Sequence, residues 1–306
     1  MNTRKHPVIE MIRANSETGY DIDTVARVAW ASITDPGDIE VGQLIEQRGA
    51  VAALEAALDP DIASIEGVNL GRLRSGMGPR TTVKVAQSLR ATAEHEWSIL
   101  TPLGKGWPIQ CYVLGDAAPV CLWVSGDGSL LTHATLTFVG SVTPTRTGLA
   151  RTRDLVAELS GQGWVIVGCG TPGVDACAQQ TGLAMHREAI AVLPCGVDQL
   201  PTGSDEAILA DVEASGALVS EFAPGTVPTS ARRAARNKLV AALGVKAVIV
   251  EAEVDSDATL IAEESRLLGR SVGIVPTVGD ETSGCRQLRS WFGGRVVRTV
   301  TDIDRL

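Results

Sequence analysis

The sequence predicts an α/β fold: a doubly wound, mostly parallel sheet with helices on both faces, preceded by a small helical domain. Three observations carry that expectation. Beyond about residue 110, short β-branched runs alternate with helical stretches and glycine turns, the pattern of strands joined by crossover helices. The runs are apolar nearly throughout, as strands buried on both faces must be. Between Ile22 and Leu58 the apolar spacing is instead helical.

The helical part comes first. Val25, Val28 and Ala29, then Leu44 and Ile45, then Ala52 and Ala56 recur at helical intervals. The stretch Thr34-Asp35-Pro36-Gly37-Asp38 divides two helices, because Pro-Gly ends a helix. Between Glu66 and Glu94 stand Arg72, Arg74, Arg80, Lys84 and Arg90, with no acid among them. Residues 1–98 are read as the helical domain and 99–306 as the sheet domain, with residues 104–108 as connector. Strands are expected at 135–139, 164–167, 189–193, 217–222, 247–250 and 272–275. Leu149, Thr152, Val156 and Leu159 mark the buried stripe of the helix between the first two. Right-handed crossovers then bring every strand-to-helix loop to the carboxyl edge of the sheet, where ligands of such folds bind.

Composition narrows the function classes. The 306-residue chain is 44% hydrophobic and 21% charged, which excludes a disordered chain. Aromatics make up only 4%, so the core must be aliphatic. A net charge of −9 argues against coating nucleic acid by bulk charge, although a local basic groove remains open. The start has no apolar run of a signal peptide and no stretch reaches membrane-spanning length, so a cytoplasmic protein without membrane contact is expected. Six scattered cysteines (Cys111, Cys121, Cys169, Cys177, Cys195, Cys285) lack metal-ligand or C-x-x-C spacing. They read as reduced, mostly buried thiols, with no metal and no cofactor.

The edge loops are 140–145, 168–173, 195–198, 223–226 and 255–259. Glycines and small hydroxyl residues ahead of a helix suit a phosphate, but the tight turns of any such fold look alike. Gly168 to Gly173 is not a dinucleotide fingerprint, since no ribose-binding acid follows. No acid stands between Glu221 and Glu251, while Arg232, Arg233, Arg236, Lys238 and Lys246 do. Spacing puts the first three arginines on one helix face. That helix would bind a polyanion, or else be a solvated surface or a dimer contact pairing with Glu263 and Glu264. Catalytic signals are weak. His6, His95, His133 and His186 lie outside the glycine loops, and V-G-S-V-T around Ser141 lacks the G-x-S-x-G elbow. Asp175, Asp198 and Glu221 are candidates for a carboxylate pair or for capping. No Walker A motif is present.

One set of motifs is more specific. Cys121-Leu122-Trp123-Val124-Ser125-Gly126-Asp127, Phe138-Val139-Gly140-Ser141 with Pro144-Thr145 and Gly148, and Gly170-Thr171-Pro172-Gly173-Val174-Asp175 follow one another. Then come Ala191-Val192-Leu193-Pro194-Cys195-Gly196-Val197-Asp198, Leu218-Val219-Ser220-Glu221-Phe222, Pro224-Gly225-Thr226, Arg236-Asn237-Lys238-Leu239 and Val250-Glu251-Ala252. Ala29-Trp30-Ala31 with Asp35-Pro36-Gly37-Asp38 and Gly284-Cys285 complete the set. In order and spacing over residues 22–303 the chain resembles the bacterial DNA-processing family called DprA or Smf, especially its actinobacterial members.

The resemblance implies an extended Rossmann-like domain behind a helical domain of the sterile-alpha-motif kind. It also implies a non-enzymatic homodimer that binds single-stranded DNA and hands it to the RecA recombinase, in recombination and natural transformation. The implied nucleic-acid residues are Gly140, Ser141, Gly170, Gly173, Arg236, Asn237, Lys238 and Ser256. Three positions depart from the family: Val142 and Pro172 stand where arginines are usual, and Asp257 replaces the glycine of a Ser-Gly-Ser loop. Arg146, Arg151, Arg232 and Arg233 are the nearby cations that would compensate. The family's frequent C-terminal winged helix is not expected in this chain. Two other readings stay open: a Rossmann-type sensor or hydrolase of a small nucleotide-derived ligand, and a protein-binding dimer that has lost DNA. The Pro-Gly-Gly-x-Gly-Thr signature of the related nucleotide hydrolases is absent, residues 276–282 being the nearest stretch.

Overall fold

Chain order reverses once within the sheet, and that reversal positions everything functional. The computed structural model describes residues 7–14, 19–65, 68–77, 79–185, 188–201, 203–276, 283–291 and 293–306. His6, Glu66, His186 and residues 277–282 lie outside them. The helical part comprises α1 (Pro7–Ala14), α2 (Ile22–Ala31), α3 (Ile39–Arg48) and α4 (Ala50–Leu58), a two-residue hairpin of β1 (Ser64–Ile65) and β2 (Val68–Asn69), then α5 (Leu70–Gly76) and α6 (Pro79–Glu94). Asp21 and Asp38 cap α2 and α3 by accepting backbone N–H bonds, so the Pro-Gly turn between them separates two capped helices as expected.

The second part holds β3 (Ser98–Leu100), β4 (Leu122–Gly126), β5 (Thr135–Gly140), α7 (Arg146–Gly161), β6 (Val165–Gly168), α8 (Val174–Ala184) and β7 (Ala189–Val192). It continues through α9 (Glu206–Ser215), β8 (Ala217–Ser220), α10 (Ser230–Leu243), β9 (Lys246–Val250), α11 (Asp257–Leu267), β10 (Ser271–Val275), α12 (Ser283–Trp291), β11 (Arg295–Val296) and α13 (Val300–Asp304). Strand order is β11-β10-β9-β5-β6-β7-β8-β4-β3. From β11 to β8 every pair is parallel, with Thr137 opposite Ala247 between β5 and β9. The fold is therefore a Rossmann-like, mostly parallel α/β sheet. From β5 the chain winds outward through β6, β7 and β8, then crosses to the other side of β5 as β9. The crevice between β5 and β9 is the topological switch point.

All six strands expected from the sequence are present. Three strands of this sheet were not foreseen: the two-residue edge strand β11, parallel to β10, and β4 and β3, antiparallel to β8 and to β4 respectively. The last two precede the β-α alternation that reveals the others, so no crossover helix announces them. The helix stripe is as expected, with Thr152, Val156 and Leu159 buried and Leu155 joining them. Strand alternation divides two apolar layers. Leu136, Phe138, Ile166 and Val248 face α7, α8 and α13, while Val139, Val167, Ile190 and Ile249 face α10 and α11. Among the described residues no helix is long and apolar enough to cross a membrane.

The helical part shares a core with the sheet. Trp30, Leu44, Leu54 and Val85 form one apolar cluster with Cys121 and Trp123 of the second part. The Arg27 guanidinium, bonded to Asp23, donates to the Val120 carbonyl at 3.1 Å. The chain is consequently a helical cap seated on strand β4. Trp123 is wholly buried there, and replacing it with Ala leaves a large cavity in the shared core. Urea unfolding of Trp123→Ala is expected to show a loss of about 3–5 kcal/mol, with no loss if the two parts were independent of that contact.

Candidate nucleic-acid interface

The site is built from three loops at the switch point. The first follows β5. A Cβ on Gly140 would stand 1.9 Å from the Val250 carbonyl oxygen, so only glycine lets β5 turn off beside β9. Ser141 is buried; its N–H donates to Val250 O, and its hydroxyl donates to Glu253 at 2.8 Å while accepting from Thr143 N–H. Thr145 caps α7, and its own N–H and hydroxyl donate to the two oxygens of Glu251 at 2.7 and 2.6 Å. Glu251 is buried at φ +48°, a backbone geometry rare outside glycine. Its carboxylate lies against Gly148, at the positive end of a helix where a phosphate would otherwise be attracted.

The second loop follows β6. Gly173 has φ +89°, and a Cβ there would approach Ser141 O to 2.4 Å. Val174 N–H donates to that same oxygen, which locks the second loop onto the first. The buried Asp175 carboxylate accepts from Cys169 N–H at 2.9 Å. Burial pushes its pKa upward, against the pull of this bond, of Thr171 and of the Arg236 charge. Gly170, at φ +65°, passes so close to Leu209 that a side chain would collide with it.

The third loop opens α11. Ser256 is the cap, accepting from Thr259 N–H. Asp257 binds Arg236 Nη2 at 3.1 Å through one oxygen and Asn237 Nδ2 at 3.0 Å through the other. Arg236 Nε donates to Asn237 Oδ1, closing a three-residue ring. A crevice of about 210 Å³ lies over these loops, with Gly140, Val142, Thr171, Asp175, Glu253 and Asp257 on its walls. Among the described residues three carboxylates and no cation line it.

Of the expected residues, Gly140 and Ser256 line this crevice, while Ser141, Gly173, Arg236 and Asn237 are bonded to or packed against its loops; Gly170 packs instead on Leu209 of α9. The side chains of Ser141, Arg236, Asn237 and Ser256 are bonded to the protein itself. The expected common face of Arg232, Arg233 and Arg236 is corrected. Arg236 is only 2% exposed, turned inward by Asp257, whereas Arg233 is exposed and Arg232 half-exposed toward the helical part. Arg146, Arg151 and Lys238 are exposed; Val142 is 55% exposed at the crevice mouth.

The suggested carboxylate pair dissolves into separate roles. Asp198 accepts from Gly225 N–H and Asp175 holds the second loop. Glu221, just past β8, keeps some surface in water while its carboxyl is enclosed; burial raises its pKa to about 8, and the Lys238 charge moderates the rise. All six cysteines are free and buried, and burial raises the thiols of Cys111, Cys121, Cys169, Cys177 and Cys195. No described group of three acids, histidines or cysteines is placed to hold a metal. Glu251 and Glu253 escaped the site reading. Glu251 bounds the acid-free stretch, a hint that acquires meaning only once β9 lies beside β5; nothing in the sequence marks Glu253.

A family model described as DNA recombination-mediator protein A matches residues 98–304. The chain belongs to that family, DprA or Smf. The DNA processing protein DprA of Mycobacterium tuberculosis is 28% identical over 301 residues, covering 92% of this chain and 75% of that protein. Protein Smf of Synechocystis is 25% identical over 280 residues, covering 90% and 69%. The structure of Streptococcus pneumoniae DprA shares the fold, with a TM-score of 0.74 at 22% identity over 91% of this chain and 95% of that one. That of Helicobacter pylori DprA, described for its single-stranded DNA binding, has a TM-score of 0.61 at 26% identity over 70% and 96%.

Within this DprA-family chain, Asp257 occupies Arg236. Asp257→Ala should strip a buried guanidinium of its anion and cost about 1–3 kcal/mol. Inorganic phosphate should then raise the melting temperature of the variant more than that of the parent; equal shifts would show that the Arg236 site does not open. Glu221 gives a pH signature. Its folded pKa of about 8 exceeds the ordinary 4.5, so its contribution is fully present below 4.5 and lost as pH rises through 8. Glu221→Gln should flatten that loss, and melting temperatures from pH 4.5 to 9 will show parent and variant diverging progressively above pH 4.5 and the difference levelling off above about pH 8.

Proposed function

We propose that the chain is a non-enzymatic mediator of DNA recombination that binds single-stranded DNA as a homodimer in the cytoplasm and delivers it to a RecA-type recombinase. Membership of the DNA recombination-mediator protein A family over two thirds of the chain carries this reading. The Helicobacter pylori relative named for single-stranded DNA binding supports its first half. Absence of catalysis fits a site whose polar groups are spent on one another and whose thiols are buried.

The geometry qualifies where the strand lies. A phosphate entering the switch-point crevice meets the carboxyl groups of Asp175, Glu253 and Asp257 and finds Arg236 already paired with Asp257, so no free cation on the described lining offsets its desolvation. Cations outside it remain available: Arg146 at the start of α7 and Arg233 and Lys238 on α10 are exposed and unpaired with carboxylates among the described residues. The strand therefore binds along the rim rather than inside, chiefly by charge and with little sequence preference. The acidic lining also disfavours the alternative of a phosphorylated small ligand held in that crevice.

Fluorescence anisotropy of a labelled oligonucleotide against salt concentration tests the reading. Binding should weaken with salt, and joint replacement of Arg146, Arg233 and Lys238 by Ala should reduce the logarithmic slope by roughly 2. No binding at low salt, or indifference to the triple variant, would refute it. Filament assembly by RecA on protein-coated strand, with and without the chain, checks the delivery step.

A further inference from the structure

A second cavity, of about 590 Å³, lies between the helical part and the sheet. One wall is the turn after α2, Ser32 to Pro36, with Lys84, Gln87 and Ser88 of α6; the other is the segment from Phe222 to Val227 with Arg232 of α10. The volume is that of a small-ligand site.

Its electrostatics are the reverse of the crevice. Four of the ten cations of the two acid-free segments are consumed by the fold. Arg72 pairs with Asp38 and Glu40, Arg74 donates to three carbonyls, Arg236 pairs with Asp257 and Lys246 donates to Ile303 and Asp304 carbonyls. Lys84 and Arg232 come one from each segment, and neither is paired with a carboxylate among the described residues. Arg232 donates to the Val227 carbonyl at 2.6 Å and lies 5.7 Å over the Phe222 ring, so its partners are neutral and its guanidinium is fixed against an aromatic face. Asp35 is the one carboxylate on the lining among the described residues.

Acceptors gather around the turn. The Ser32 and Thr34 hydroxyls donate back to Val28 and Trp30 carbonyls, and Ser88 donates to Lys84 O, so what they offer the cavity is lone pairs. The carboxyl-terminal end of α2 adds partial negative charge there. Cations from two elements, a flat guanidinium and a group of acceptors match a phosphate joined to a nucleobase better than they match bare phosphate. The wall is preformed: Gly225 N–H is held by Asp198, and Gly196 N–H donates to Thr226 O.

We propose that this interdomain cleft binds a nucleotide unit, its phosphate on Lys84 and Arg232 and its base toward Gln87 and the Ser32–Pro36 turn. The unit is either part of a bound single strand or a free nucleotide. For the strand the proposal rests on the function proposed above; for the free nucleotide it does not. Arg232 and Arg236 are one helical turn apart on α10, so a strand excluded from the crevice by Asp257 is displaced by about 6 Å along that helix into the cleft.

The test uses the full chain with Lys84→Ala, Arg232→Ala and a control, Arg90→Ala, which removes an equal charge from an exposed position of α6 outside the cleft. Two probes are titrated: a labelled single strand, followed by anisotropy, and deoxyadenosine monophosphate, followed by calorimetry. Losses of about tenfold in affinity for either probe with Lys84→Ala and Arg232→Ala, but not with Arg90→Ala, support the proposal. Nucleotide binding through Lys84 without strand binding supports the cleft and overturns the strand-binding function. Strand affinity lost in the Arg146, Arg233 and Lys238 triple variant but kept in Lys84→Ala, with no nucleotide binding, overturns the cleft and leaves that function standing. Equal losses in all three single variants, or no binding of either probe, overturn the proposal. Lys84 is exposed on its helix, so its replacement leaves the fold intact.

Discussion

Glu251 turns out of strand β9 in a left-handed backbone conformation and places its two oxygens on the N–H and hydroxyl of Thr145, the cap of α7. This contact ties the two strands flanking the switch point, one from each winding direction of the sheet. The approach of Gly140 to Val250 and of Gly148 to the Glu251 carboxylate both depend on it. Through Ser141 the same loop is bonded to Glu253 and to the second glycine loop. The ligand edge is thereby rigid before any ligand arrives, and the anions that satisfy its helix ends are the protein's own.

That self-satisfaction has an electrostatic consequence. Glu251, Asp175 and Asp257 each neutralise or cap a group that a phosphate could have engaged. The edge gains order and loses its appeal for a polyanion, while among the described residues Arg146, Arg233 and Lys238 on the surface and Lys84 and Arg232 in the interdomain cleft have no carboxylate partner. Net charge alone misleads in both directions here. A total of −9 conceals unpaired cations, and an acid-free run of residues conceals that Arg236 is paired with Asp257 20 positions after Asn237.

The helical cap matters for the same reason. Trp123 on β4 and Cys121 just before it enter the apolar cluster built by α2, α3 and α4, and the Arg27 bond to Val120 fixes the cap's orientation. Burial of an uninterrupted core across the two parts makes the cleft between them a fixed feature. Lys84 and Arg232, about 150 residues apart in sequence and without mutual contact in any local motif, line it together only because of that seating.

Much was legible in the sequence because it rests on local periodicity. The parallel strands, the capped helices around Pro36-Gly37 and the glycine loops follow from spacing and backbone sterics, which neighbours along the chain decide. The order of family motifs identified the fold around them. The antiparallel β3 and β4 carried no such periodic signal because no α-helix crosses over from either to the next strand, and the parallel β11 carried none because it is two residues long. Which charges are free was settled by the tertiary structure alone. An arginine at residue 236 and an aspartate at residue 257 read as a cation and an intrusive anion; packing α10 against α11 makes them one neutral pair. Charge neutralisation acts through space over a few ångströms, so sequence spacing predicts it within a helix and is silent about it between helices.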